Sequence, residues 1–168
     1  KMMEPLVRRG RQADAPFLKD LDTIVPIDPA RAESIDRWLR DDTVLVAEVD
    51  GRVVGYGVFD HGFFGQSSVA MLMIHENYRG QKLGEHILRM LEKLGDTPKF
   101  YVTTNQSNHR MQKLLSRLGY RPGGYIHELD PGDPELVFVK GIKMAPESVG
   151  GDSGKAAADG GPTVSPQH

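Results

Sequence analysis

The chain has 168 residues, 39% of them hydrophobic, with a formal net charge of −2 and no cysteine. This length and composition predict one domain with an ordinary buried core. The charge balance argues against a general nucleic-acid binder, which carries a basic excess to meet phosphates. The lack of cysteine excludes disulfides, thiolate metal sites and a cysteine nucleophile.

The histidines and the apolar runs argue against two further classes of protein. The six histidines form no zinc-like spacing such as His-Glu-x-x-His, so we expect no metal site. No apolar run approaches the roughly 20 residues of a membrane span, and residues 1–5 lack the apolar core of a signal peptide. We therefore expect a cytoplasmic protein with no nucleic-acid or membrane partner.

The first part of the chain predicts a short strand and two helices. Residues 6–9 form the strand, and residues 12–21 begin a helix with Asp14 as its cap. Residues 30–40 predict a second helix, whose apolar face includes Trp38. We expect Trp38 to pack this helix onto the sheet.

Two β-branched runs follow, at residues 43–49 and 52–59. They are separated by Asp50-Gly51, a strong signal for a hairpin of antiparallel strands. Gly55 and Gly57 weaken the second strand and indicate either a bulge or the close approach of a ligand. We favour the bulge.

A turn over residues 61–65 leads to a third long strand of the meander at residues 68–74. A glycine-bearing loop then leads to a helix with apolar residues at helical spacing. Gly80 and Gly84 let the backbone come close to a ligand, so N–H groups of the loop and the first helical turn can point at one anion. The spacing fits neither a P-loop nor a Rossmann fingerprint. The alternative is a solvated basic turn that caps a helix.

The last elements complete an α/β pattern. Residues 99–104 predict a strand parallel to the one before the loop, because a helix separates the two. A helix capped by Ser107 follows at residues 108–118, and a final hairpin covers residues 120–127 and 135–140.

Three local sequences resemble the GNAT family of N-acetyltransferases. Tyr-Arg-Gly-Gln-Lys-Leu-Gly at residues 78–84 is similar to the family's pyrophosphate loop, although Lys82 stands where the middle glycine usually is. Asn-Gln-Ser-Asn at residues 105–108 resembles the entry to motif B, where an asparagine contacts the coenzyme. Leu-Gly-Tyr at residues 118–120 matches the Leu-Gly-Phe/Tyr ending of that motif. The order of elements over about residues 6–142 is also similar to the family.

The resemblance implies an α/β (α+β) GNAT fold, with a central mixed, mostly antiparallel sheet, one parallel strand-helix-strand unit and flanking helices. The acetyltransferase domain would occupy residues 1–144. Residues 145–168 form a tail rich in Gly, Ala, Ser and Pro, with too little apolar surface to fold.

The resemblance also implies acetyl-coenzyme A (acetyl-CoA) as co-substrate and assigns the residues that hold it. Main-chain groups of Leu72, Met73 and Ile74 would bind the pantetheine arm like an added strand. The phosphates would be held by Arg79, Gly80, Gln81, Lys82, Leu83, Gly84 and Glu85, and Asn108 would contact the coenzyme. The Lys82 ammonium would pair with a phosphate. The alternative is a solvated lysine at a position with φ below zero.

Two catalytic groups common in the family are missing. The fourth strand begins Gln66-Ser67-Ser68, without the usual glutamate base, and Leu115 occupies the position of the usual tyrosine acid. Glu135 and His127 are the first candidates for catalysis, because the terminal hairpin borders the acceptor pocket in this family. An ordered water chain is the alternative, and we favour it slightly.

We therefore expect an N-acetyltransferase that moves an acetyl group from acetyl-CoA to a primary amine of a small molecule or protein by direct attack. The alternative is an acetyl-CoA-binding sensor or partner-binding module with little catalysis. The sequence leaves the amine acceptor and a homodimer open.

Overall fold

The strands and helices follow the order that the hydrophobic pattern predicts. The structure is a computed structural model and describes residues 5–142, so the predicted tail at residues 145–168 lies outside the described part. The strands are β1 (Leu6–Arg9), β2 (Thr43–Val49), β3 (Arg52–Phe63), β4 (Gln66–Ile74), β5 (Lys99–Asn105), β6 (Arg121–Ile126) and β7 (Glu135–Gly141). The α-helices are α1 (Ala15–Leu21), α2 (Ala30–Asp41), α3 (Leu83–Glu92) and α4 (His109–Arg117), and short 3-10 turns lie at Gln12–Asp14 and Glu76–Tyr78.

All seven described strands form one sheet in the order β1-β2-β3-β4-β5-β7-β6. β4 and β5 are parallel, and the other neighbours are antiparallel. This arrangement confirms the predicted mixed, mostly antiparallel sheet with a β4-α3-β5 parallel unit. Every helix within residues 5–142 is too short or too polar to cross a membrane.

Apolar side chains cover both faces of the sheet. Alternate residues of β2 point to opposite faces, so Val44 and Val46 join one buried cluster and Leu45 and Ala47 join the other. The first cluster packs against α1 and α2 and includes Trp38, which confirms its predicted role as a core anchor. The second cluster packs against α3 and α4 and extends to β5 and β7.

Both hairpins on either side of β3 turn through two residues with positive φ. Asp50 and Gly51 have φ of 52° and 75°, as the type I′ turn of the predicted Asp-Gly hairpin requires. The second turn is shorter than predicted, because β3 continues to Phe63 and only Phe64 and Gly65 form the turn.

The predicted caps of two helices need correction. Asn108, not Ser107, caps α4, and its side chain accepts a hydrogen bond from the Met111 N–H at 3.1 Å. The Ser107 hydroxyl instead donates to Asp133 at 2.6 Å. Asp14 precedes α1 but makes no side-chain bond to it. Its carboxylate accepts from the Arg11 N–H and from the Arg8 guanidinium.

Gly57 of β3 allows α3 to approach the sheet. A Cβ at Gly57 would lie 2.6 Å from Ile87 Cγ2 and 2.8 Å from Leu91 Cδ1. A Cβ at Gly55 would lie 2.7 Å from the end of the Ile74 side chain. The register between β2 and β3 does shift next to Gly55, as the predicted bulge requires. The groups that come close are the Ile74 side chain of β4 at Gly55 and the α3 side chains at Gly57, and both belong to the fold.

Candidate functional site

A cleft opens where β4 and β5 separate. The parallel pairing covers only Ser67–Phe100, Ser68–Tyr101 and Val69–Val102, after which the two strands diverge. The last residues of β4 therefore pair with β3 on one side, while β5 pairs with β7. The cleft has a volume of about 670 Å³. It lies between the end of β4, the start of α3 and one face of α4.

The loop before α3 presents uncapped backbone N–H groups to this cleft. Gly80 and Lys82 have φ of 80° and 63°, and no side chain caps the helix that begins at Leu83. The first N–H groups of a helix lack partners within the helix and carry partial positive charge. They are therefore available to an anion. The solvated alternative for Lys82 required a negative φ, and this expectation is wrong, because the residue lies in the left-handed region.

Arg79 fixes the loop to the preceding strand. Its Nε donates to the main-chain oxygen of Ile74 at 3.3 Å, while the residue also lines the cleft. The His75 side chain accepts from the Asn77 N–H at 3.1 Å and orders the turn between β4 and the loop. The end of β4 and the phosphate-type loop are thus held in one geometry.

One face of α4 forms the opposite wall of the cleft. Arg110, Lys113 and Arg117 line it, and the sequence analysis did not single out these residues. Their spacing of three and four residues could have identified them from the sequence, because it places them on one side of a helix. Together with Arg79 and Lys82, they give the described lining five cationic side chains.

Glu85 is the single carboxylate among the described residues that line the cleft. It lies in the first turn of α3 and contacts Arg89 at 3.0 Å and Arg117 at 3.2 Å. The hydrogen bond from Arg89 is the main cause that lowers the pKa of Glu85. The carboxylate therefore stays ionised and offsets part of the positive charge. The remaining excess still suits a ligand with several negative charges.

Ten of the eleven residues predicted to bind the coenzyme line the cleft. They are Leu72, Met73, Ile74, Arg79, Gly80, Lys82, Leu83, Gly84, Glu85 and Asn108. Gln81 is exposed and is not part of this lining. The ten residues converge because the β4-α3-β5 unit brings the end of β4, the loop and the start of α4 together at the carboxyl ends of β4 and β5, in the middle of the sheet.

The two predicted catalytic residues lie outside the described lining. Glu135 begins β7, where it pairs with Asn105 on one side and Ile126 on the other. His127 follows β6, is exposed, and its ring packs edge-on against Tyr125. Leu115, at the position of the usual tyrosine acid, is fully buried. The catalytic role of Glu135 and His127 therefore stays a prediction.

The connection between α1 and α2 reaches the same cleft. Thr23 lines it beside Met73, and its hydroxyl lies 3.9 Å from the Met73 sulfur. The neighbouring Asp22 is 1% exposed and accepts a 2.5 Å hydrogen bond from the Tyr56 hydroxyl. Burial and this carboxylate raise the pKa of Tyr56, so its hydroxyl stays protonated and holds the connection over the sheet.

In the described part of the chain, no group of three or more His, Cys, Asp or Glu side chains is placed to hold a metal ion. The described lining of the cleft includes the loop before α3, cationic side chains and apolar residues of β4.

Comparison with known proteins identifies the family. The model of the acetyltransferase (GNAT) family matches residues 14–120, more than half of the chain. The chain belongs to the acetyltransferase (GNAT) family. This match covers the loop, α3 and α4, so the predicted resemblance and the GNAT fold are confirmed.

Three relatives illustrate the similarity. A Bacillus subtilis (strain 168) protein, provisionally named as an alanine N-acetyltransferase of ribosomal protein bS18, is 31% identical over 100 residues. The match covers 56% of this chain and 65% of that protein, which is less than two thirds of its length. A GNAT acetyltransferase structure from Bacillus cereus has a TM-score of 0.78 at 22% identity and covers 84% of this chain and all of its own.

The third relative is a Salmonella typhimurium protein described provisionally as an acetyltransferase and solved with its cofactor acetyl-CoA. It has a TM-score of 0.67 at 17% identity and covers 87% of this chain and 99% of its own. At these identities the two structures show that the GNAT family member described here shares their fold.

Proposed function

We propose that this GNAT family member is an N-acetyltransferase that transfers an acetyl group from acetyl-CoA to a primary amine. The observation that carries the proposal is the cleft at the divergence of β4 and β5, with its uncapped helix and cationic lining. An apolar strand end next to a phosphate-binding loop suits a ligand with an apolar arm and a charged end. Acetyl-CoA is such a ligand and is the usual donor of the family.

The residues of the cleft fit the parts of the donor. The loop N–H groups, Arg79 and Lys82 would hold its diphosphate, and free main-chain groups of Leu72 to Ile74 would bind its pantetheine arm. In the transfer, the amine nitrogen forms a bond to the thioester carbon, the carbon–sulfur bond breaks, and the thiol leaves. A main-chain N–H near Ile74 would stabilise the negative charge that develops on the carbonyl oxygen.

The proposed acceptor is a primary amine. The name of the Bacillus subtilis relative makes the amino terminus of a protein the first class to test. Small polyamines and lysine side chains are the other classes. An unperturbed lysine-type amine has a pKa of ~10.4 and an α-amino group has one of ~8, so the protonated form of either acceptor must lose a proton before it attacks.

An acetyl-transfer screen tests the proposal. The full chain is incubated with acetyl-CoA and one amine of each class, and free thiol is measured over time. We expect amine-dependent thiol release for one class and product of the matching mass. Binding of acetyl-CoA without transfer to any class would favour the alternative of a sensor or partner-binding module, which the buried Leu115 supports because it removes the usual acid.

The proton-transfer route is tested by Glu135→Gln and His127→Gln. If water carries the proton, each variant should keep kcat within about tenfold, and the rise of the rate with increasing pH should follow the pKa of the amine. A fall of roughly 10²–10⁴-fold in either variant, with unchanged affinity for the donor, would instead identify that residue as the base.

A further inference from the structure

The cleft carries more positive charge, on one face of α4, than a diphosphate requires. Arg110, Lys113 and Arg117 all line the cleft and are exposed. Among the ion pairs of residues 5–142, Arg117 contacts Glu85 at 3.2 Å, and Arg110 and Lys113 have no carboxylate partner. Two unpaired cations on the wall of a cleft are therefore free to meet a ligand.

The loop alone can neutralise a diphosphate. It offers Arg79, Lys82 and the partial positive charge at the start of α3. Such a group carries about two negative charges, whereas a phosphate monoester carries roughly a further 1.5 to 2 near pH 7. Glu85 already balances much of Arg117. The free charge of Arg110 and Lys113 thus corresponds to one additional monoester.

The packing of α4 places this face next to the loop. A Cβ at Gly84 would lie 3.7 Å from Leu114 Cδ2, and Glu85 is in direct contact with Arg117. Both contacts join the first turn of α3 to α4. A ligand whose diphosphate lies on the loop therefore has its neighbouring groups beside Arg110 and Lys113.

We propose that Arg110 and Lys113 recognise the 3′-phosphate of CoA, so that the protein selects CoA over 3′-dephospho-CoA. The proposal rests on the proposed function, because it takes CoA as the ligand of the cleft. The two side chains are specificity-determining residues and take no part in the chemistry of acetyl transfer. Charge-assisted contacts of this kind depend on position and are weakened by salt.

The test measures the affinity of CoA and of 3′-dephospho-CoA by calorimetry for the full chain and three variants. We expect the unmodified chain to bind CoA at least about tenfold more tightly. Arg110→Gln/Lys113→Gln should weaken CoA about tenfold and leave 3′-dephospho-CoA within about twofold. Arg79→Ala should weaken both ligands by the same factor, because both carry the diphosphate.

The matched control is Arg121→Gln, which removes an exposed arginine of β6 outside the described lining of the cleft. It should change neither affinity. Equal binding of the two ligands by the unmodified chain, or an equal loss for both in the double variant, would overturn the inference and leave the proposed function standing. Failure of the chain to bind either ligand would overturn the proposed function and the inference together.

Discussion

Lys82 occupies the most strained backbone position of the cleft. Its φ of 63° lies in the left-handed region, which costs an L-residue roughly 1–2 kcal/mol and costs glycine little. The residue also contributes one of the cationic side chains of the lining. Lys82 thus combines backbone strain with a positive charge, and two substitutions can separate the effects of the two on stability and on binding.

We expect Lys82→Gly to be more stable than Lys82→Ala by about 1 kcal/mol, because only glycine removes the strain. Both variants lose the ammonium group, so both should bind CoA more weakly by a similar factor. Denaturant unfolding gives the stabilities and calorimetry gives the affinities. Equal stabilities would argue against strain at this position, and unchanged affinities would argue against a phosphate contact.

The Arg8–Asp14 pair makes stability depend on pH. Asp14 is 4% exposed, and its carboxylate lies 2.8 Å from the Arg8 guanidinium. The hydrogen bond from Arg8 is the main cause that lowers the pKa of Asp14 below its ordinary value of 3.8. The ionised carboxylate thus stabilises the folded state above this value, and the contribution is lost as the pH falls through the lowered pKa.

Asp14→Asn should lower the free energy of unfolding by about 2–3 kcal/mol near pH 7, because Arg8 loses its charged partner. The difference from the unmodified chain should shrink below about pH 4. Thermal or urea unfolding across pH 2–7 measures it. Asp41→Asn, which removes an exposed partner of Arg40, is the control and should change stability by less than about 1 kcal/mol. A pH-independent difference for Asp14→Asn would contradict the linkage.

The position of α3 on the sheet determines the geometry of the loop. Gly57 lies beneath Ile87 and Leu91, two fully buried residues of α3, at distances that leave no room for a methyl group. Gly84, within α3, has its nearest neighbour Leu114 at 3.7 Å from a Cβ, which is ordinary van der Waals contact. A methyl group would therefore clash with α3 at Gly57 but would fit at Gly84.

Gly57→Ala should destabilise the fold by about 1–3 kcal/mol through overpacking. It should also weaken CoA binding, because the start of α3 moves with the helix. Gly84→Ala should leave stability unchanged or raise it by up to about 1 kcal/mol through helix propensity, and it should weaken binding because the methyl group lies between Ile74 and Leu114 in the cleft. Unfolding and titration together test both. If Gly57→Ala were fully stable, α3 would not be held as closely as described.

The elements set by local rules could be predicted from the sequence. Asp50-Gly51 forms its turn through backbone preferences of those two residues, and the strand-loop-helix at the cleft follows from glycines and apolar spacing. The cap of α4 could not be predicted, since Ser107 and Asn108 are equally suited chemically. The hydroxyl of Ser107 instead donates a hydrogen bond to Asp133, which lies 26 residues further along the chain.

The position of the cationic face of α4 could not be predicted from the sequence either. The spacing of Arg110, Lys113 and Arg117 predicts that they share a helix face, but only the packing of α4 decides that this face borders the cleft. The positive φ of Lys82, the residue before α3, was likewise not expected from the sequence. Local sequence thus predicts which groups are present, and tertiary packing decides which of them meet.

At the scale of the whole molecule, both buried clusters and the complete seven-stranded sheet lie within residues 5–142. We therefore expect a chain that ends at residue 144 to keep its melting temperature within about 2 °C, since about 1 kcal/mol corresponds to several degrees in a domain of this size. Its affinity for CoA should also be unchanged. A fall of more than about 5 °C would show that the removed residues contribute to the folded domain.

Three backbone pairs between β4 and β5 join the four strands β1–β4 to the three strands β5, β7 and β6 in the described sheet. A ligand in the cleft touches β4 on one side of this narrow junction and α4, which follows β5, on the other. The free energy of ligand binding therefore stabilises the junction between the two parts of the sheet. With acetyl-CoA as the proposed ligand, we expect resistance to heat and to proteases to rise with its concentration, so that the lifetime of the protein in a cell would follow the supply of acetyl-CoA.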